Sequence, residues 1–125
     1  MLFDTDVLIW VLRGNKKAAR LIDSTEVRCV SVVTYMELLQ GARDKQEMKA
    51  IRSFLVDLGF EMIPLTENIG HRASIYVEEY ALKSGMCLAD ALLGATAVEN
   101  QLTLCSANRK HYKPITDLDL KVFKP

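Results

Sequence analysis

Three acidic residues, Asp4, Glu37 and Asp90, each lie where an apolar segment passes into a stretch with helical patterning. Asp4 directly follows the opening run Met1–Phe3, and Asp90 interrupts the otherwise uncharged stretch Leu88–Leu93. An unpaired carboxylate in an apolar setting is very costly, so three of them at apolar junctions suggest a shared cation. Carboxylate oxygens, with water completing the coordination shell, are the ligands that Mg²⁺ and Mn²⁺ prefer.

Asp4, Thr5 and Asp6 also have a purely structural interpretation. They lie between a predicted strand and a predicted helix, where short polar side chains cap free backbone N–H groups. Capping explains Thr5 best, and for Asp6 a capping role and a chemical role stay equally open. Asp4 differs because it directly follows a strand near the expected centre of the sheet, so we interpret it as a metal or catalytic ligand.

For Glu37 and Asp90, a purely structural role and a role as metal ligand both stay open. The spacing Thr34-x-x-Glu37 matches a capping box, although Ser31 offers another cap that would leave Glu37 one turn deeper in its helix. Asp90 lies in a first helical turn, where an acid favours the helix dipole. Its helix is apolar on every side, which is typical of a buried helix, and a glycine follows each acid by four residues.

Short apolar runs alternate with helical patterns along the chain. The predicted strands are Met1–Asp4, Val27–Val32, Phe60–Leu65, Leu102–Ser106 and Leu120–Phe123. The predicted helices are Val7–Arg13, Lys16–Asp23, Tyr35–Lys45, Gln46–Leu58, Glu67–Lys83 and Ala89–Asn100. This alternation favours a three-layer α/β/α fold with a short central parallel sheet. Ligands of such sheets bind beyond the carboxyl ends of the strands, where the three acids can converge.

Composition limits the class of protein. The 125 residues carry sixteen basic and sixteen acidic side chains, and half are hydrophobic, so one domain spanning residues 1–125 is expected. The cancelling charges exclude a polycationic nucleic-acid coat but leave a local basic patch open. Three cysteines without a C-x-x-C pattern indicate a reduced, cytoplasmic protein. No apolar run approaches the roughly 18 residues of a membrane span, and no signal peptide is visible.

A fourth polar segment follows the fourth predicted strand. Asn108 offers an amide oxygen to a cation or to water, and Arg109, Lys110 and Tyr112 suit contacts with phosphates and bases. A solvated loop is the plain alternative, and a lone loop histidine such as His111 is more often incidental. Cations are expected to rim the acids and to offset their repulsion of a polyanion: Arg13, Lys16, Lys17, Arg43, Arg109 and Lys110.

Four segments, in this order and spacing, resemble the PIN domain, and most closely the VapC type of bacterial toxin–antitoxin ribonuclease. They are Leu2–Ile9, Ser31–Gly41, Leu88–Ala97 and Ser106–Tyr112, and they are distributed over nearly the whole chain. The resemblance implies Mg²⁺- or Mn²⁺-dependent cleavage of RNA, a homodimer and a cognate antitoxin. It places the shared core acids of the family on the three residues already singled out.

The chain departs from the family pattern at two places. The family often has a fourth acid in the last segment, where this chain has Asn108 and His111, so a second metal stays an open question. Asp6 occupies a position that is often Asn, which is consistent with a supporting acid.

The run Val7–Leu12 offers two apolar faces on one short helix, one for the sheet and one for a partner.

Two other functions stay open at this stage. A strand followed by Asp4-x-Asp6 also begins the haloacid-dehalogenase-like phosphatases, in which Asp4 would be the nucleophile and Asp6 the acid/base. That fold needs a later acidic pair, and only Asp117 and Asp119 near the end of the chain are available. The other alternative is a catalytically silent PIN-like module that binds RNA or protein without cutting.

Overall fold

The computed structural model describes residues 1–125 as five strands and seven helices, with all strands in one parallel sheet. The strands are β1 (Leu2–Phe3), β2 (Cys29–Ser31), β3 (Glu61–Ile63), β4 (Leu104–Ser106) and β5 (Leu120–Val122). The sheet order β3-β2-β1-β4-β5 puts β1 at the centre. Parallel neighbours need crossover connections, and at least one helix lies in each of them.

The helices are α1 (Thr5–Leu12), α2 (Lys16–Ser24), α3 (Val32–Gln40), α4 (Lys45–Asp57), α5 (Glu67–Ser84), α6 (Leu88–Glu99) and α7 (Arg109–Tyr112). Local sequence sets several helix starts, because the side chains of Asn15, Ser31 and Asp44 accept hydrogen bonds from the first free backbone N–H groups. The longest helix, α5, ends at Gly85, whose φ of 67° lies in the left-handed region that glycine adopts without strain.

Successive residues of the central strands point to opposite faces of the sheet. Leu2 and Leu104 pack with side chains of α5 and α6 in one core. Phe3 and Cys105 pack with side chains of α1, α2, α3 and α4 in the other. All four strand residues are completely buried. The predicted three-layer α/β/α fold with a short central parallel sheet is therefore confirmed.

Helices α3 and α7 differ most from the sequence-based prediction, and α1 begins at Thr5 rather than at Val7. The end of α3 lies at Gln40 rather than at Lys45. The start of α3 lies at Val32 rather than at Tyr35, because Ser31 at the end of β2 caps the helix immediately. The short helix α7 was not predicted, because Arg109–Tyr112 contains three basic or titratable residues in a row and no apolar periodicity.

Gly94 permits a close contact between α6 and the chain that follows α7. A Cβ atom at this position would lie 2.6 Å from Cδ1 of Ile115 and 4.0 Å from Cδ1 of Tyr112. The absence of a side chain therefore lets Ile115 and Tyr112 pack against α6. Gly41, the other glycine that follows an acid by four residues, meets only ordinary contacts at the end of α3.

All three cysteines are free. Cys29 and Cys105 are buried in the sheet, as the sequence indicated, and Cys87 is exposed just before α6. Burial raises the pKa of the Cys105 thiol to about 11, which keeps it neutral. None of the helices has both the length and the apolar composition needed to cross a bilayer.

Candidate active site

The central strands bring three polar residues together at their carboxyl ends. Leu2 pairs with both Cys29 and Leu104. Continuing this register places Asp4 beside Ser31, which ends β2, and beside Ser106, which ends β4. The carboxyl edge of a parallel sheet is where ligands of α/β proteins bind, so this edge is the candidate active site.

Asp4 is the only buried acidic residue of the chain, with 6% of its surface exposed. Its Oδ1 accepts a hydrogen bond from the backbone N–H of Thr5 at 2.7 Å. Its Oδ2 accepts from the hydroxyl of Ser106 at 2.7 Å and from that of Tyr112 at 2.9 Å. Burial, and then the charge of Asp6, raise the pKa of Asp4 to about 6, although the three donors act in the opposite direction. A cation here would relieve the remaining cost of the charge.

Glu37 extends toward the start of α1 rather than back along its own helix. Ser31 caps α3, and Thr34 lies inside the first turn, so the capping box considered from the sequence does not form. Instead, Oε1 of Glu37 accepts a hydrogen bond from the Thr5 hydroxyl at 2.7 Å. Thr5 therefore links two of the acids, since its N–H donates to Asp4 and its hydroxyl donates to Glu37.

Asp90 has a capping role in the first turn of α6. Its Oδ2 accepts from the backbone N–H of Cys87 at 3.2 Å, so Asp90 caps the helix, which the sequence analysis had not predicted for this acid. The same oxygen lies 3.3 Å from Nδ1 of His111, so this histidine is a neighbour of the acids and not an incidental loop residue. The side chain of Asp90 is 14% exposed. Its Oδ1 takes part in neither contact, so capping and ligation are compatible.

Asp6 adds a fourth carboxylate to the site. Its Oδ2 accepts from the backbone N–H of Ala107 at 3.0 Å, whereas its Oδ1 is buried without a hydrogen-bond partner. Burial raises the pKa of Asp6, and the charge of Asp90 raises it further. Asp6 in turn raises the pKa of Asp4. Asp6 therefore repels both Asp4 and Asp90 across the site.

The chemistry of these side chains fits a hard divalent cation. All of them are carboxylates, burial and repulsion disfavour the charges of Asp4 and Asp6, and Oδ1 of Asp6 lacks any partner. As they lie, however, no three His, Cys, Asp or Glu side chains converge on one metal position. Each repelling carboxylate is turned instead toward a hydroxyl, N–H or imidazole donor. Binding one ion through Asp4, Glu37 and Asp90 therefore needs at least one of these side chains to change its rotamer.

The predicted rim cations are exposed. Arg13 follows α1, Lys16 begins α2, and Arg109 and Lys110 form the first half of α7. Arg13 lies in the same groove as Glu37. All four side chains are exposed to solvent.

The side-chain amide of Asn108 makes no hydrogen bond to the acids of the site. Its side chain does not cap α7, and its backbone N–H donates to Oγ of Ser106 at 3.0 Å. This bond helps to hold Ser106, which itself donates to Asp4. The contribution of Asn108 to the site is therefore made through its backbone.

The sequence-based interpretation of Tyr112 as an exposed contact for bases is wrong. Its side chain is buried, with 1% of the residue exposed, and its hydroxyl reaches Asp4. The charged residues next to it in the sequence indicated exposure, but α7 turns the ring inward. Tyr112 was therefore given the wrong role from the sequence. Ser106 was not singled out, although it ended a predicted strand.

A groove with a volume of about 820 Å³ lies between α1, α3 and α4 and reaches Glu37. Its apolar lining is Ile9, Leu12, Leu38, Ala42, Ala50 and Ile51, and its charged lining is Arg13, Glu37, Arg43 and Glu47. The two apolar sides of α1 therefore have different surroundings. Val7 and Leu8 are buried in the core, whereas Ile9 and Leu12 face the groove.

The fold and the site agree with a known class of protein. The sequence pattern of the PIN domain matches residues 1–114, and the chain belongs to the PIN domain family. Its structure is similar to that of a toxin–antitoxin complex from Klebsiella pneumoniae, with 28% identity, a TM-score of 0.79 and coverage of 94% of this chain and 93% of that chain.

Two further solved structures share the fold. VapBC-1 from nontypeable Haemophilus influenzae is 21% identical, with a TM-score of 0.81 over 97% of this chain and 96% of that chain. FitAcB from Neisseria gonorrhoeae is 23% identical, with a TM-score of 0.73 over 99% of this chain and 96% of that chain. No curated protein matches the chain in sequence.

Membership of the PIN family excludes the phosphatase alternative. The arrangement of the sheet agrees, because Asp117 and Asp119 precede β5 and lie beside Gln101 and Leu102, which precede β4. They are therefore at the amino-terminal edge of the sheet, opposite to Asp4, and cannot act on the same substrate group.

Proposed function

We propose that this chain is a divalent-metal-dependent endoribonuclease that acts as the toxin of a toxin–antitoxin pair. The observation that carries the proposal is the buried carboxylate of Asp4, which is held by three donors and linked through Thr5 to Glu37. PIN family membership and the likeness to a toxin–antitoxin complex support it. One cytoplasmic domain, residues 1–125, would carry the activity.

Asp4, Glu37 and Asp90 would hold the cation, and Asp6 would support them through its charge. When bound, Mg²⁺ or Mn²⁺ supplies positive charge to a phosphodiester and activates a water molecule for attack. Thr5 keeps Asp4 and Glu37 adjacent, because one residue donates to both. Burial of Asp4 limits the screening by bulk water and strengthens its attraction to a cation.

The RNA backbone must approach a site that is itself acidic. The exposed cations Arg13, Lys16, Arg109 and Lys110 offer the opposing charge that phosphates need. Because the chain has no net charge, this attraction is local, and it should weaken as salt is added.

The groove beside Glu37 is the proposed site of an antitoxin segment. Its apolar floor suits an amphipathic segment, and its charges are available to polar groups along the edge of that segment. An arginine carried by the antitoxin would pair with Asp4 or Asp90 in a charge-assisted, bidentate manner and exclude the cation. Binding there would also cover the approach of RNA past Arg13.

Cleavage of a panel of RNAs by the purified protein tests the enzymatic part of the proposal. We expect products with Mg²⁺ or Mn²⁺ and none with EDTA. Loss of a residue that merely supports a metal ligand costs about 10–100-fold, so Asp90→Asn should cost at least about 100-fold. Asp57 is exposed on α4 and makes no side-chain hydrogen bond, so Asp57→Asn is the matched control and should keep the wild-type rate.

Near-wild-type cleavage by Asp90→Asn, or cleavage that persists in EDTA, would reject the assignment. RNA binding without any product would favour the silent PIN-like module instead.

Expression without an antitoxin tests the toxin part separately. The wild-type protein should arrest growth, whereas Asp4→Asn should not. If the two were equally harmless at equal abundance, the toxin role would be rejected, and cleavage measured with purified protein would stand on its own.

A further inference from the structure

Two adjacent residues of the four-residue helix α7 contact two of the acids. The hydroxyl of Tyr112 donates to Oδ2 of Asp4 at 2.9 Å, and Nδ1 of His111 lies 3.3 Å from Oδ2 of Asp90. Tyr112 and Asp4 are 108 positions apart in sequence, so the fold alone creates their contact. The last helix before β5 is therefore directly coupled to the acids on α1 and α6.

We propose that Tyr112 is a positioning residue for Asp4. Its hydroxyl acts together with that of Ser106 and fixes the orientation in which the Asp4 carboxylate is presented to a catalytic cation. This inference rests on the metal-dependent function proposed above.

The hydrogen bonds of Asp4 define one orientation of its carboxylate. Both hydroxyls donate to the same oxygen, Oδ2, at 2.7 Å from Ser106 and 2.9 Å from Tyr112. The other oxygen, Oδ1, has one backbone donor, Thr5, and keeps a lone pair for a cation. Groups that orient a ligating carboxylate in this way strengthen metal binding without touching the metal.

The hydroxyl of Tyr112 has no packing role. The ring lies in the core with α6, where Gly94 allows the close approach of this segment. A phenylalanine would fill the same space, whereas a buried phenol needs an acceptor. Asp4 supplies that acceptor, so the hydroxyl serves the carboxylate rather than the core.

Tyr112→Phe removes this one oxygen atom and tests the inference. Mn²⁺ affinity, measured by electron paramagnetic resonance, should fall by about tenfold or more. The kcat for RNA should fall with it, and KM for RNA should stay unchanged, because the substitution leaves the exposed cations in place. Tyr76→Phe is the matched control, since Tyr76 is buried in the same core and its hydroxyl makes no hydrogen bond to the acids of the site. It should retain wild-type Mn²⁺ affinity.

Ser106→Ala is a second, independent variant and should lower Mn²⁺ affinity in the same way. If the Tyr112→Phe protein failed to fold, Ser106→Ala would still test whether these hydroxyls position Asp4. A folded Tyr112→Phe protein with lower thermal stability but unchanged Mn²⁺ affinity would show a merely structural role and overturn the inference. A wild-type protein that bound no Mn²⁺ would also overturn it.

A wild-type protein that bound Mn²⁺ but cut no RNA would reject the proposed function alone. The comparison of Mn²⁺ affinities would still decide the role of Tyr112.

Discussion

The carboxylate of Asp4 is subject to two opposing influences. Burial and the neighbouring Asp6 favour its neutral form, while the donors from Thr5, Ser106 and Tyr112 favour its charge. Burial and Asp6 have the larger effect, since together they raise the pKa of Asp4 to about 6. At neutral pH the charged carboxylate therefore destabilises the folded, metal-free protein, and a cation would remove that cost.

This balance predicts how stability depends on pH. Because the folded pKa of Asp4 exceeds its ordinary value of 3.8, its contribution to stability is fully present below that value and is lost as the pH rises through about 6. In urea unfolding without divalent metal, the wild-type protein should therefore lose stability between these values. Relative to Asp4→Asn, the loss should be on the order of 2–3 kcal/mol.

The pKa of Asp6 is raised in the same direction, but Asp6 is present in both proteins and largely cancels in the comparison. If the stability of the wild type and that of Asp4→Asn depended on pH in the same way, the raised pKa of Asp4 would be contradicted.

At the scale of single residues, the sequence indicated the acids but not the groups that hold them. Asp4 and Ser31 could be recognised because strand ends and helix caps have local signals. Tyr112 could not, because its contact with Asp4 spans the length of the chain and its neighbours are charged. Whether Asp4, Glu37 and Asp90 share one ion stays a prediction.

Among the elements, the packing of α6 against α7 is the contact on which the geometry of the site depends most. Gly94 on α6 faces Ile115, which follows α7 and is buried with it. Any side chain at position 94 must displace Cδ1 of Ile115, and Tyr112 lies three residues before it. The core on this side of the sheet therefore has a direct effect on Asp4.

Gly94→Ala should destabilise the protein despite the better helix propensity of alanine. The new Cβ would lie 2.6 Å from Cδ1 of Ile115. Overpacking costs about 1–3 kcal/mol, and the gain in propensity is at most about 1 kcal/mol. Thermal or urea unfolding should therefore show a net loss of roughly 1 kcal/mol.

The control for this prediction removes the clashing atom. Ile115→Val shortens the side chain by Cδ1, so the pair Gly94→Ala/Ile115→Val should be more stable than the sum of the single changes. Strictly additive effects would show that Gly94 does not face Ile115 as described.

The order of elements could be predicted because periodicity, caps and glycines are local features. The sheet, its parallel direction and the central place of β1 followed from the alternation of strands and helices and are confirmed. Exact boundaries were less accessible, since Ser31 and Thr34 both match a cap and only the register of β2 decides between them. A single turn such as α7 has too few residues to show a period.

For the molecule as a whole, the surface retains apolar side chains that the two cores do not use. Leu82 and Leu88, near the junction of α5 and α6, are exposed, and Leu12 lines the groove beside α1. Exposed apolar patches usually mark contacts with other chains. The structure thus leaves surface for both partners expected from the sequence, a second copy and an antitoxin.

Sedimentation equilibrium tests the predicted homodimer. At micromolar concentration the purified protein should have twice the mass of the 14.1 kDa chain. A protein that stayed monomeric at this concentration would contradict the prediction, although the groove would remain available to an antitoxin.

The central claim is that Asp4, Glu37 and Asp90 share one divalent cation at the carboxyl edge of the sheet. Anomalous diffraction from crystals grown with Mn²⁺ tests it most directly, because it also shows which of these side chains move from their present contacts. We predict an anomalous peak with carboxylate oxygens of all three residues at roughly 2.1 Å, in the range of a hard cation. A peak elsewhere, or none at saturating Mn²⁺ in crystals that leave this edge open, would contradict the claim.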